Sequence, residues 1–250
     1  MSLSALVLAG SRGGADAVAL AEGLGHKALV EVGGTPMLAR VIAALHAAGI
    51  ARIAVAADHP EVIALATALG AGILPPAQGP SASVASGFAA LGAPMLVTTA
   101  DHALLRPEWV CDFLKDTPPG ADVSVLLASR ERVNAAMPGS RRTWLRFADG
   151  EWSGCNLFLL STSRAHAAIA LWQTVEANRK RPWRIAAQLG LGTLLRYAAG
   201  RLTLADAVAR LGQQIGLDAR AVAARDGLAA VDVDKPGDLV DVRRIVTAAA

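Results

Sequence analysis

Arg12 sits inside the glycine-rich turn Gly10-Ser11-Arg12-Gly13-Gly14, directly after an apolar run, and Lys27 follows it beside His26. Glycines let backbone N–H groups approach a phosphate closely, and a guanidinium grips two phosphate oxygens at once. A second cation, Lys27, precedes another apolar run and the turn Gly33-Gly34-Thr35-Pro36. That combination is suited to holding a polyphosphate. The loop is neither a G-x-G-x-x-G dinucleotide fingerprint nor a Walker A loop, because no G-K-[ST] follows. Asp101 ends the apolar run Pro94–Thr99, and in a parallel sheet a carboxylate at a strand's C-terminal end faces the ligand crevice. Asp232 and Asp234 alternate in Val231-Asp232-Val233-Asp234, so an extended chain puts both on one side.

The elements that must position these residues alternate through the first half. Strands are expected at Leu3–Ala9, Ala28–Val32, Arg52–Ala57, Gly72–Leu74, Pro94–Thr99 and Ala121–Ala128. Helices are expected at Thr35–Ala48, Pro60–Leu69, Pro80–Leu91 and Pro107–Lys115. This rhythm predicts an α/β, three-layer, Rossmann-like fold with a mostly parallel sheet and right-handed crossovers. The second half breaks it. Asp149-Gly150 between Thr143–Phe147 and Trp152–Leu160 reads as a hairpin. Helices are expected at about 163–177, 182–199 and 203–214, then a final strand at Ala229–Val233 and a helix at Lys235–Thr247. The segment from Leu217 to Ala230 carries no clear signal. The expectation is a single domain over 1–250: a nucleotide-binding half at 1–130, an acceptor-side and helical region at 131–228, and a closing strand and helix at 229–250.

Composition narrows the function. The chain has 250 residues, 53% of them hydrophobic and 4% aromatic, which excludes a disordered chain. A net charge of +3 is too small to imply nucleic acid. The two cysteines, Cys111 and Cys155, form neither a zinc spacing nor a disulfide framework. No signal peptide or membrane span is expected. The reduced cytoplasm is the expected location, and a homodimer is left open.

The stretches LAGSRGG and HKALVEVGGTPML resemble the signature of the nucleotidyltransferases with a GT-A-like fold. They are most similar to the MobA-like group, related to molybdenum cofactor guanylyltransferase and the methylerythritol phosphate cytidylyltransferases. Two features depart from that pattern: Ser11 replaces a glycine, and the gap from Arg12 to Lys27 is longer than usual. The resemblance implies transfer of a nucleoside monophosphate from CTP or GTP to a phosphorylated small molecule, with Mg2+ as cofactor. It implies Lys27 and Arg12 as catalytic residues, and Leu8, Ala9, Gly10, Ser11, Gly13 and Asp101 as nucleotide contacts. It also implies Asp101 as a magnesium ligand, with Asp232 or Asp234 as the second, Asp232 being preferred and Asp234 also a candidate helix cap. Pro80-Ser81-Ala82-Ser83-Val84-Ala85-Ser86-Gly87 is similar to the base-reading stretch of the cytidylyltransferases, though the arginine expected before the serine is absent. Gln78 and Ser83 are the implied base contacts, and this favours CTP. Gly154-Cys155-Asn156 resembles the acceptor motif, so Asn156 is an expected acceptor contact, with Arg141, Arg142 and Arg181 as candidates for the acceptor's phosphate. The rival readings are guanylyl transfer to molybdopterin and a non-catalytic nucleotide-binding module. A GT-A glycosyltransferase is disfavoured because Asp101-His102-Ala103 is not D-x-D.

Overall fold

The computed structural model describes residues 2–10, 16–140, 142–177 and 190–248. They fall into two compact units, Met1–Asp112 with Val231–Ala250, and Phe113–Ala230.

In the first unit the apolar run after the N-terminus forms β1 (Ser4–Leu8), buried along nearly all its length. Continuous apolar character is what a strand covered on both faces requires. The chain next forms a two-residue hairpin, β2 (Glu31–Val32) and β3 (Thr35–Pro36). Gly33 and Gly34 turn it, with φ of +61° and +73°, values that glycine adopts without the Cβ clash. The strands β4 (Arg52–Ala56), β5 (Gly72–Leu74) and β6 (Met95–Thr99) follow. β1 lies between β4 and β6, and β5 pairs with β4, every pair parallel. Leu6 stands opposite Ala54 on one side and Val97 on the other.

Helices Pro60–Ala68 and Pro80–Leu91 cross over between successive strands, each with proline in its first turn, where no N–H is needed. The second packs tightly on β1. A Cβ on Gly87 would lie 2.5 Å from Leu6 Cδ2, so any larger residue there would force the buried Leu6 side chain to move. The parallel arrangement brings three chain segments to one edge of the sheet. They are Gly10 after β1, the loop Pro75–Gly79 after β5, and Asp101 after β6.

Two expectations for this unit need correction. Lys27–Leu29 is a 3-10 turn, not the start of a strand, and only Glu31–Val32 of the expected Ala28–Val32 is extended in a ladder. The cause is local: the His26 ring accepts the Ala28 N–H at 3.0 Å and starts the turn. Likewise Val231–Val233 joins no strand pair. Its backbone is used elsewhere, with Val233 N–H donating to the Asp101 carbonyl at 3.1 Å. The unit closes with helix Pro236–Ala248.

The second unit holds β7 (Val123–Ser129), β8 (Leu145–Phe147), β9 (Gly150–Leu160) and β10 (Ala219–Ala223). β7 and β9 are antiparallel, β8 and β9 form the expected hairpin, and β10 runs parallel to β7. β10 had no clear sequence signal. Between the pairs Val125–Phe158 and Leu127–Gly154 the register shifts, so Cys155–Leu157 oppose Leu126 alone. Asn156 lies in this bulge with φ of +48°, a conformation asparagine tolerates better than most residues. Helices His166–Ala177, Leu191–Ala198 and Leu204–Gln214 complete the unit. Among the described residues no helix is long and apolar enough to cross a membrane.

Candidate functional site

Lys27 stands in the 3-10 turn with its side chain largely covered. Its ammonium donates to Asp101 Oδ2 at 2.6 Å and to the Val233 carbonyl at 3.2 Å, and lies 3.6 Å from Asp234 Oδ1. An ammonium has three donors, and three oxygens surround this one. Burial works against the charge. The charge and hydrogen bond of Asp101, helped by Asp234 and Asp16, outweigh it and hold Lys27 above the ordinary lysine value. Lys27 is therefore a fixed cation at neutral pH.

Asp101 is held from both sides. The Thr99 hydroxyl donates to its Oδ1, while Oδ2 faces Lys27. Thr99 ends β6 and Asp101 follows two residues on in the turn beyond it, which brings the hydroxyl to the carboxylate. The loop beyond is tied down by Arg40, whose Nε donates to the Ala103 carbonyl at 2.8 Å.

Asp234 has its carboxyl raised. Burial comes first, then the charges of Asp232 and Asp101, with Lys27 opposing them. Its side chain remains 64% exposed, so solvent screens each of these effects. Asp238 accepts from the Asp234 and Lys235 N–H groups at 3.0 and 2.9 Å and so caps helix Pro236–Ala248. The Asp234 carboxylate is left to face Lys27.

A further group surrounds the loop after β5. The Ser83 hydroxyl accepts the Ala77 N–H at 2.9 Å and donates to the Gly79 carbonyl at 2.9 Å. Pro76 touches the glycine loop: a Cβ on Gly10 would meet Pro76 Cβ at 3.0 Å. Gln78 is exposed at this loop. The structure thus brings Lys27, Asp101 and Asp234 together, and sets Gly10 against the loop that carries Gln78. Leu8 ends β1 and Ala9 is buried behind Gly10. Ser11, Arg12, Gly13, Arg141 and Arg181 lie outside the described residues. Asn156 and Arg142 belong to the second unit, Asn156 in its β-bulge and Arg142 just before β8.

Thr99 and the Val233 carbonyl are contributors that sequence reasoning did not single out. The Thr-x-Asp spacing at a strand end carried a usable signal for the first. A backbone carbonyl carries none.

A family model described as the MobA-like NTP transferase domain matches residues 5–190. The chain belongs to this family. By class it is a nucleotidyltransferase, and its mixed α/β fold is that of nucleotidyltransferases of known structure. It is 34% identical to a hypothetical transferase from Thermus thermophilus, over 96% of this chain and 100% of that one, with a TM-score of 0.82. CMP:2-keto-3-deoxy-manno-octonic acid synthetase, solved in complex with CTP, shares the fold at 19% identity, with a TM-score of 0.59 and all of both chains covered. Among curated proteins, the 3-deoxy-manno-octulosonate cytidylyltransferase of Nitrobacter hamburgensis is 35% identical over 111 residues. That match spans 41% of this chain and 43% of the relative.

The carboxylates suit a hard cation. Asp101, Asp232 and Asp234 offer only oxygen, and the Asp234 carboxyl is raised first by burial and then by the charges of Asp232 and Asp101. Among the described residues no group of three or more His, Cys, Asp or Glu is arranged to hold a metal by itself. Magnesium bound by one or two carboxylates plus substrate phosphates has no need of such a cage, so the donor set fits it.

Proposed function

We propose that this chain transfers CMP from CTP to a phosphorylated small molecule and releases pyrophosphate. The observation that carries this reading is the Lys27 ammonium, held between Asp101 and Asp234 at the ligand edge of the parallel sheet. The names of its relatives favour cytidine.

An oxygen of the acceptor's phosphate attacks the α-phosphorus of CTP in line. A new P–O bond forms, the bond from the α-phosphorus to its bridging oxygen breaks, and pyrophosphate leaves with that electron pair. A phosphate monoester is ionised near neutral pH, so no general base is required. Catalysis is then positioning and charge neutralisation. Lys27 stabilises the charge that develops on the α-phosphate. Arg12 grips the leaving pyrophosphate, and Gly10, Ser11 and Gly13 offer backbone N–H groups to the phosphates. Gln78 reads the base. Asn156, Arg142, Arg141 and Arg181 serve the acceptor. Magnesium, held by Asp101 with Asp232 or Asp234, supplies Lewis-acid neutralisation of phosphate oxygens when bound.

The test is pyrophosphate release with CTP, GTP, UTP and ATP against phosphorylated sugars, polyols and amino-alcohols, with sugar acids included. Release that requires CTP together with one acceptor supports the reading. Release with GTP and a pterin phosphate would replace it with guanylyl transfer. Tight nucleotide binding with no release on any acceptor would favour a binding module.

A further inference from the structure

The serine of the helix that follows the Gln78 loop bonds the backbone of that loop. Ser83 is buried, at 6% exposure, and its hydroxyl gives its only proton to the backbone of the loop it follows. It accepts the Ala77 N–H at 2.9 Å and donates to the Gly79 carbonyl at 2.9 Å, so it brackets Gln78 from both neighbours. The loop is further folded on itself by Gly79 N–H donating to the Ala77 carbonyl at 2.8 Å, with Gly79 at φ +102°. That conformation is open to glycine and strained for other residues.

The bracket is anchored at both ends. Helix Pro80–Leu91, which carries Ser83, is seated on β1 by the close approach of Gly87 to Leu6. Pro76, at the other end of the loop, abuts Gly10. The backbone that carries Gln78 is thus held by a chain of contacts to β1 and to Gly10. A glutamine amide offers two donors and an acceptor with two lone pairs. This pattern complements a pyrimidine edge best when the backbone that carries the amide is held in one place, which limits the positions the side chain can reach.

We propose that Ser83 is a positioning residue for nucleobase selection: its hydroxyl clamps Ala77 and Gly79 so that Gln78 projects towards the base from a fixed backbone. This rests on the nucleotidyltransferase reading for the identity of the ligand. It differs in assigning selectivity to a buried hydroxyl that never touches the nucleotide.

The experiment measures dissociation constants of CTP, UTP, GTP and ATP for the intact protein and for Ser83→Ala, Ser83→Thr and Gln78→Ala, with the melting temperature of each. Binding is read directly, so the result does not depend on having the true acceptor. The expected result is a roughly tenfold loss of CTP preference over the other nucleotides in Ser83→Ala. Gln78→Ala should show the same loss with an unchanged melting temperature. Ser83→Thr, which restores the hydroxyl, should recover the preference. A Ser83→Ala protein that loses thermal stability but keeps the wild-type order of nucleotide affinities overturns the inference and leaves the enzyme reading intact. Unchanged preference in Gln78→Ala overturns it as well. A wild-type protein that binds no nucleotide refutes both.

Discussion

Lys27 Nζ lies 2.6 Å from Asp101 Oδ2, and this pair joins a 3-10 turn near the N-terminus to the end of a central strand. Asp101 stabilises the charge of Lys27, and each is proposed to handle phosphate. In Asp101→Asn the ammonium loses its nearest counter-charge while the shape is kept. The expected outcome is a fall in kcat of about 10²- to 10³-fold, the scale of losing one preorganised electrostatic contact. Steady-state pyrophosphate release measures it. A change of less than threefold would remove Asp101 from the mechanism.

Thr99 fixes which oxygen of Asp101 faces Lys27. Thr99→Val keeps the volume and removes the hydroxyl. It should lower kcat about tenfold, with the apparent KM for nucleotide little altered, and Thr99→Ser should restore the rate. If Thr99→Ser is as slow as Thr99→Val, the loss comes from packing and not from carboxylate orientation.

The second unit contains a buried acid whose role is structural. Asp122 accepts from the Thr162 hydroxyl at 2.6 Å and the Asp218 N–H at 2.9 Å, and lies 3.1 Å from Arg164. The Thr162 bond first, then the Asp218 N–H, hold its carboxyl below the ordinary aspartate value against the cost of burial. A depressed acid contributes stability that is present above its unfolded-state value, and that contribution is lost as pH falls through the folded-state value. The melting temperature of the wild type should therefore drop as pH falls below about 4. Asp122→Asn should be less stable by about 1–3 kcal/mol at neutral pH, with the gap closing in acid. Parallel thermal melts across pH check the sign; a gap that widens in acid would contradict it.

Gly227 marks a close backbone crossing in the same unit. A Cβ there would lie 2.1 Å from the Arg132 carbonyl oxygen and 2.5 Å from Val133 N, both main-chain atoms that cannot swing aside. Gly227→Ala should cost about 3 kcal/mol or more. Gly154→Ala, with nothing within 4 Å of the added carbon, should change stability by less than about 1 kcal/mol. Urea unfolding midpoints of the two variants compare them directly.

Punctuation by glycine and proline made much of the fold readable. Gly72–Leu74 and Pro80–Leu91 occur with the expected bounds: glycine opens and Pro75 closes the first, while Pro80 opens and Gly92 closes the second. Apolar character alone misled where the backbone had other partners. Val231–Val233 is as buried and β-branched as a strand, yet its N–H bonds to the Asp101 loop and its carbonyl to Lys27. The strand Ala219–Ala223 went unseen because it is short, alanine-rich and largely unburied, and only its parallel register with Val123–Leu127 reveals it. In the candidate site, Lys27, Asp101 and Asp234 were legible through the family resemblance of the motifs that carry them, since charge beside an apolar run does not alone separate a site residue from a surface one. The Ser83 clamp was not, since a serine's type does not disclose which backbone groups its hydroxyl will satisfy.

The most direct test follows label from CTP carrying a radioactive α-phosphorus into the acceptor product, in wild type and Lys27→Ala, with CTP binding measured on both proteins. The account predicts label in the product for wild type. It predicts transfer reduced about 10²- to 10³-fold in Lys27→Ala, with the fold retained. Transfer at the wild-type rate in Lys27→Ala would contradict the role given to the lysine at the centre of the site.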